Sequence, residues 1–167
     1  MKPLTAAERQ KIFGRIEGFE LSDGSGIHIT NDWQKKYLTS VVVPQLIGVS
    51  GAPKNGRIFW HKHGVSQLLG FFSDVEKHGL GPLVLSWAGS WVPRYVRGSS
   101  STLSSHAHGT AFDINAAWNP LKAKPALAGT RGSVIELVPL AQANGFFWGG
   151  HFSRPDGMHF ELMGVDQ

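Results

Sequence analysis

Two stretches of this chain carry residue types and spacings that can do chemistry. One is Ser104-Ser105-His106-Ala107-His108-Gly109-Thr110-Ala111-Phe112-Asp113; the other is Asp156-Gly157-Met158-His159-Phe160-Glu161. Together they offer two imidazoles and a carboxylate, His106, Asp113 and His159, as ligands for one metal ion. Three protein ligands with an open fourth position are what a catalytic zinc needs, because the vacancy holds the water that becomes the nucleophile. Asp156 stands three residues before the second histidine, where it is a candidate to take the proton of that water. The pattern reads as a zinc hydrolase.

The elements needed to position these groups follow from strand geometry. A turn at Gly109 followed by a strand from Ala111 to Asn115 points Ala111, Asp113 and Asn115 to one face, with Phe112 and Ile114 turned into a core. Met158 and Phe160 pack in the same way around His159, leaving His159 and Glu161 on a shared face. Two such strands side by side form a rigid platform for an ion. Taken singly, each residue has a plainer reading: a histidine beside glycine is a turn residue, and Asp156-Gly157 is an ordinary turn pair. Their joint spacing favours a metal site. His108 competes with His106 as ligand, and Glu161 either orients a histidine or faces solvent.

Elsewhere the pattern is that of an α+β chain. Thr5-Ala6-Ala7-Glu8 is a capping box that opens a helix, with Ile12, Phe13 and Ile16 on one side and Gly18 as its stop. Ile27 to Ile29 and Ser40 to Val43 read as strands, the second ended by Pro44. Val65, Leu68, Leu69, Phe72 and Val75 fall at helical spacing, closed by Gly79. Leu83 to Trp87 reads as a buried strand. The segments Gly48 to Gly56, Gly98 to Ser101 and Pro120 to Gly132 read as loops, the last expected to border a cleft. A second capping box at Ser133 and Glu136 starts a helix that reaches Asn144, with Pro139 inside it as a kink or weak first turn. The expectation is a small antiparallel sheet flanked by helices.

At 167 residues the chain is expected to be one domain spanning 1–167, with an N-terminal part over 1–80 and a metal-site core over 81–167. It has no cysteine, which excludes thiolate sites and leaves nitrogen and oxygen to hold any metal. Net charge is +4, with a sequence pI of about 9.6, which suits a polyanionic environment such as nucleic acid or a wall rich in carboxylate and phosphate. No Lys/Arg cluster lies near His106, so a metal nuclease, otherwise suggested by Asn115 and Asn119, lacks its phosphate grip. No apolar run is long enough for membrane insertion. The N-terminus lacks the pattern of a signal peptide. The expectation is a monomer made in the cytoplasm that reaches the cell wall or periplasm after release or injection.

The two-part motif S-x-H-x-x-G-x-A-x-D and D-x-x-H-F-E resembles the zinc peptidases of bacterial cell-wall metabolism. This group holds VanY-like D-alanyl-D-alanine carboxypeptidases and the L-alanyl-D-glutamate endopeptidases of phage endolysins, with a fold shared by the amino-terminal domain of hedgehog proteins. The similarity runs from about Ser86 to Met163, including Trp87-Ala88-Gly89-Ser90-Trp91 and Trp148-Gly149-Gly150. It implies zinc on His106, Asp113 and His159, Asp156 as base, and Ser104 near the substrate. It prefers His106 to His108 and implies an upstream arginine for substrate oxygen, for which Arg94 and Arg97 compete. His151 stands where relatives carry an acid. The implied activity is hydrolysis of peptidoglycan stem peptides, leaning to the endopeptidase, with the carboxypeptidase as alternative. A non-enzymatic zinc-containing binding module is the rival of another class; Asp156 argues against it, since a structural site needs no base.

Overall fold

In the computed structural model, which describes residues 2–165, the chain forms four helices and eight short strands among those residues. They are α1 (Ala6–Phe13), β1 (Gly18–Glu20), β2 (Ile27–Ile29), α2 (Trp33–Tyr37), β3 (Leu38–Val42), β4 (Arg57–His61), α3 (Val65–Lys77), β5 (Trp87–Gly89), β6 (Ala111–Ile114), α4 (Val138–Ala143), β7 (Phe146–Trp148) and β8 (His159–Leu162). β1–β2 and β3–β4 are antiparallel hairpins, and a four-stranded antiparallel sheet has the order β5-β6-β8-β7. The α+β expectation holds. No described helix is long and apolar enough to cross a membrane.

The core lies between α3 and one face of the four-stranded sheet. α3 buries Leu68, Phe71, Phe72 and Val75; Leu68, Phe72 and Val75 belong to the stripe expected from the sequence, Phe71 joins them, and Val65 and Leu69 are half-buried. Against it stand Phe112 and Phe160, stacked with ring centroids 5.3 Å apart, and Trp87, stacked on Phe112 at 5.7 Å. Phe112 is fully buried at the centre of this aromatic cluster. Phe112→Ala should therefore destabilise the fold by about 3–5 kcal/mol, measurable by urea unfolding. A near-neutral result would show that the sheet does not depend on this layer.

Several local expectations are corrected. α1 ends at Gly14 (φ 86°) rather than Gly18, and Ile12 is exposed while Phe13 and Ile16 are buried. The Leu83–Trp87 strand is replaced by a 3-10 turn at Gly81–Leu83, followed by a single parallel bridge from Ser86 to Ser50, and pairing with β6 begins at Trp87. The reason is Asn115: its side-chain oxygen takes the backbone N–H groups of Leu85 and Ser86, and its amide donates to the Leu83 carbonyl. Asn115 has itself left the strand, at φ 53°, so it does not share a face with Asp113. The helix after Ser133 divides into a 3-10 turn, Ile135–Leu137, and α4, with Pro139 in the first turn of α4 where its missing N–H costs little.

Candidate active site

Strand register brings the second and third members of the site together. β6 pairs antiparallel with β8 so that Asp113 lies directly opposite His159, with Phe112 opposite Phe160 on the core side. His106 arrives from a 3-10 turn, Ser105–His108, whose first residue is preceded by Ser104; the Ser104 hydroxyl accepts the His106 N–H at 3.3 Å. Gly109 ends that turn in the left-handed region, φ 61°, and its carbonyl accepts the N–H of His61 at the end of β4. The fully buried Thr110 hydroxyl donates to the Ser105 carbonyl at 3.0 Å. The turn is thus held from both ends.

Three atoms converge. His106 Nε2 lies 3.2 Å from Asp113 Oδ1, His159 Nδ1 lies 3.0 Å from the same oxygen, and the two nitrogens are 3.2 Å apart. A tetrahedral ion with bonds of about 2.0–2.1 Å has ligand–ligand edges of about 3.3 Å, so the triangle already has the required size. The far nitrogens decide which atoms face inward. His106 Nδ1 donates to the Ser90 carbonyl at 2.6 Å, and His159 Nε2 donates to Glu161 Oε2 at 3.0 Å. In the neutral rings these bonds put a lone pair on His106 Nε2 and on His159 Nδ1, aimed at the same point as a carboxylate. Three electron-rich atoms around one point repel unless a cation joins them. The group can hold a metal ion.

The titration of the metal-free chain carries the same message. Burial works against charge on His159, but hydrogen bonds to Asp113 and Glu161 outweigh it and push its pKa up to about 10. Burial also opposes charge on Asp113, yet the charges and hydrogen bonds of the two histidines hold its carboxyl well below the usual carboxylate range. A proton then occupies the place of a cation, and metal binding must release it.

Asp156 is held beside this group by its backbone. Its N–H donates to the Gly149 carbonyl at 2.9 Å and its carbonyl accepts the His159 N–H at 3.1 Å. A Cβ on Gly149 would fall 2.5 Å from the Asp156 carbonyl oxygen, so the Trp-Gly-Gly run works by allowing this close approach. The Trp148 indole completes the clasp through a 2.8 Å bond to the Gly157 carbonyl. Asp156 Oδ1 is buried and has no hydrogen-bond partner. Burial raises its pKa above the ordinary value, with the two imidazoles and Arg94 opposing and Asp113 reinforcing. A carboxylate oxygen left bare in this way is free to accept a proton.

A cleft of about 670 Å³ opens over the group. Its walls include Asp156 and the other positions singled out from the sequence, Arg94, Arg97, Ser104 and His151. Arg94 is half-buried and Arg97 exposed. Sequence reading missed two further basic residues of the same cleft, Arg9 and Arg154. Nothing in the local pattern marks Arg9, which reaches the wall from α1 and donates to the Leu4 and Leu103 carbonyls. Arg154 is signalled only by its nearness to the second motif.

Other candidates lie elsewhere. His108, the rival of His106 for the ligand role, is fully buried between Phe13 and Trp33, and burial lowers its pKa to about 4. His61, outside both motifs, is buried with its Nε2 on the Phe13 carbonyl, a structural role. Asn115 and Asn119 are fully buried, and their amides both donate to the Gly132 carbonyl, so they present nothing to a phosphate.

Residues 97–162 match a family model described as D-alanyl-D-alanine carboxypeptidase. No curated protein and no solved structure matches the chain.

Proposed function

We propose that this chain, whose residues 97–162 match a family model described as D-alanyl-D-alanine carboxypeptidase, is a zinc-dependent L-alanyl-D-glutamate endopeptidase acting on peptidoglycan stem peptides. The observation that carries the catalytic reading is the convergence of His106 Nε2, His159 Nδ1 and Asp113 Oδ1 beside the unpaired oxygen of Asp156. The chain is read as one catalytic domain, since α1, from its N-terminal part, supplies Arg9 to the cleft wall.

When bound to His106, Asp113 and His159, zinc supplies a Lewis acid and lowers the pKa of a coordinated water to about 7. Ser90 and Glu161 hold the two imidazoles in the tautomers that ligation needs. Asp156 takes the proton of the attacking water and passes it to the departing amine. Arg94, coupled electrostatically to both Asp113 and Asp156, receives the substrate carboxylate. In an L-alanyl-D-glutamate bond and in a D-alanyl-D-alanine bond alike, the residue after the cut carries a free carboxylate on its α-carbon. One arginine therefore serves either substrate. The endopeptidase is favoured by the extent of the cleft, whose walls draw on three separate segments around residues 3–9, 94–97 and 151–154; trimming a terminal residue needs a smaller pocket.

Digestion of purified peptidoglycan, followed by mass spectrometry of the new termini, tests this. New amino-terminal D-glutamate supports the endopeptidase; released D-alanine supports the carboxypeptidase; intact wall overturns both. Arg94→Ala should lower kcat/KM by about 10–100-fold, the range for losing a hydrogen bond to a charged group, and Arg97→Ala by far less on small substrates. Equal and negligible effects would remove arginine from the mechanism.

A further inference from the structure

Besides Arg9, which is tied to the Leu4 and Leu103 carbonyls, the guanidinium groups of Arg94, Arg97 and Arg154 line the cleft, and none of these three forms an ion pair among the described residues. The acids of the cleft are committed to the catalytic end. Asp113 faces the two histidines, Glu161 holds His159, and Asp156 stands beside them. The rim is different. Arg154 Nη1 and Nη2 both donate to the Arg97 carbonyl at 3.3 Å, so the 151–154 loop is stitched to the 94–97 loop with two cationic side chains at one edge. Both residues are exposed, and His151 on the same wall adds no negative charge. Burial and then the neighbouring Arg97 lower the pKa of Arg94, with Asp113 and Asp156 opposing. Arg94 has Asp113 and Asp156 for counter-charge, but Arg97 and Arg154 at the rim form no ion pair among the described residues, and such an edge attracts an anionic ligand and repels a cationic one.

Resting on the peptidase reading above, in which Arg94 takes the carboxylate next to the cut bond, we propose that Arg97 and Arg154 form a second carboxylate subsite. It selects stem peptides whose third residue is a diamino acid bearing a side-chain carboxylate over those bearing lysine. The selection has two parts. The acid gains charge-assisted hydrogen bonds to the free edges of the guanidinium groups, whereas lysine brings the same ammonium with no carboxylate to offset it and meets net repulsion, so the same residues favour one substrate and oppose the other.

The test uses the full zinc-loaded chain and three peptides, L-Ala-γ-D-Glu-X, with X as meso-diaminopimelate, its side-chain carboxamide, or lysine. The acid should be cut with kcat/KM at least about tenfold above the amide and further above lysine, about one charged hydrogen bond's worth of discrimination. Arg154→Glu, at an exposed position whose folding a melting curve checks, should shrink or invert that order, and Arg154→Lys should keep its direction. Equal cleavage of all three peptides, or an order unmoved by Arg154→Glu, overturns the subsite alone. Failure to cut any of them, with peptidoglycan also left intact, overturns the proposed function and the subsite with it.

Discussion

His159→Ala should yield a chain that no longer holds zinc and no longer hydrolyses peptidoglycan. The imidazole is one of the three groups proposed as ligands, and its Nδ1 sits 3.0 Å from Asp113 Oδ1 and 3.2 Å from His106 Nε2, so its loss removes a corner of the proposed site. Loss of an outer partner of a ligand costs about 10–100-fold in affinity; loss of the ligand itself should exceed that. Metal content by elemental analysis and titration with zinc measure the effect, and chelation of the wild type should reproduce the loss of activity, with recovery on adding zinc. Full turnover by metal-free protein would sink the zinc reading. The pH dependence has a definite sign. His159 in the metal-free chain carries its proton up to a pKa of about 10, and zinc must displace it. Apparent zinc affinity should therefore rise with pH below that value, by about tenfold per unit for one proton released. A flat profile between pH 6 and 8 would show that no proton leaves His159.

Asp156→Asn should retain zinc and fold while turnover falls by at least about 10²-fold, the usual scale for loss of a general base. The substitution keeps the size of the side chain and leaves the backbone bonds to Gly149 and His159 in place, but the amide cannot accept a proton. The contrast with His159→Ala is the point. If Asp156→Asn also loses zinc, Asp156 is a ligand or a structural residue and its assigned role fails. If it keeps both zinc and full hydrolysis, the base lies elsewhere, with His151 and Glu161 the next candidates on the cleft wall. Of those two, Glu161 is already engaged by His159 Nε2 at 3.0 Å, so His151 would be tested first.

What the linear order of residues determined was local and periodic. The alternation around Phe112 and Phe160 dictates that Asp113 and His159 turn away from the core, because a strand repeats every two residues. The capping box at Thr5, the stripe of α3 and the turn at Gly109 were legible for the same reason: each rests on contacts within a few residues of chain. Tertiary structure decided everything that depended on which strand met which. The pairing that sets Asp113 opposite His159, 46 residues apart, is a choice of register, and sequence periodicity does not select a partner. The same holds for β4, which no pattern announced and which pins Gly109 through His61. Ser90 shows the limit most clearly, since what it gives His106 is a backbone carbonyl, and every residue type has one. Arg154 and Arg9 join the cleft only because distant segments fold onto it. His108 goes the other way: two residues from His106 in sequence, it turns into the aromatic layer under Trp33, because in a tight 3-10 turn neighbouring side chains leave in different directions.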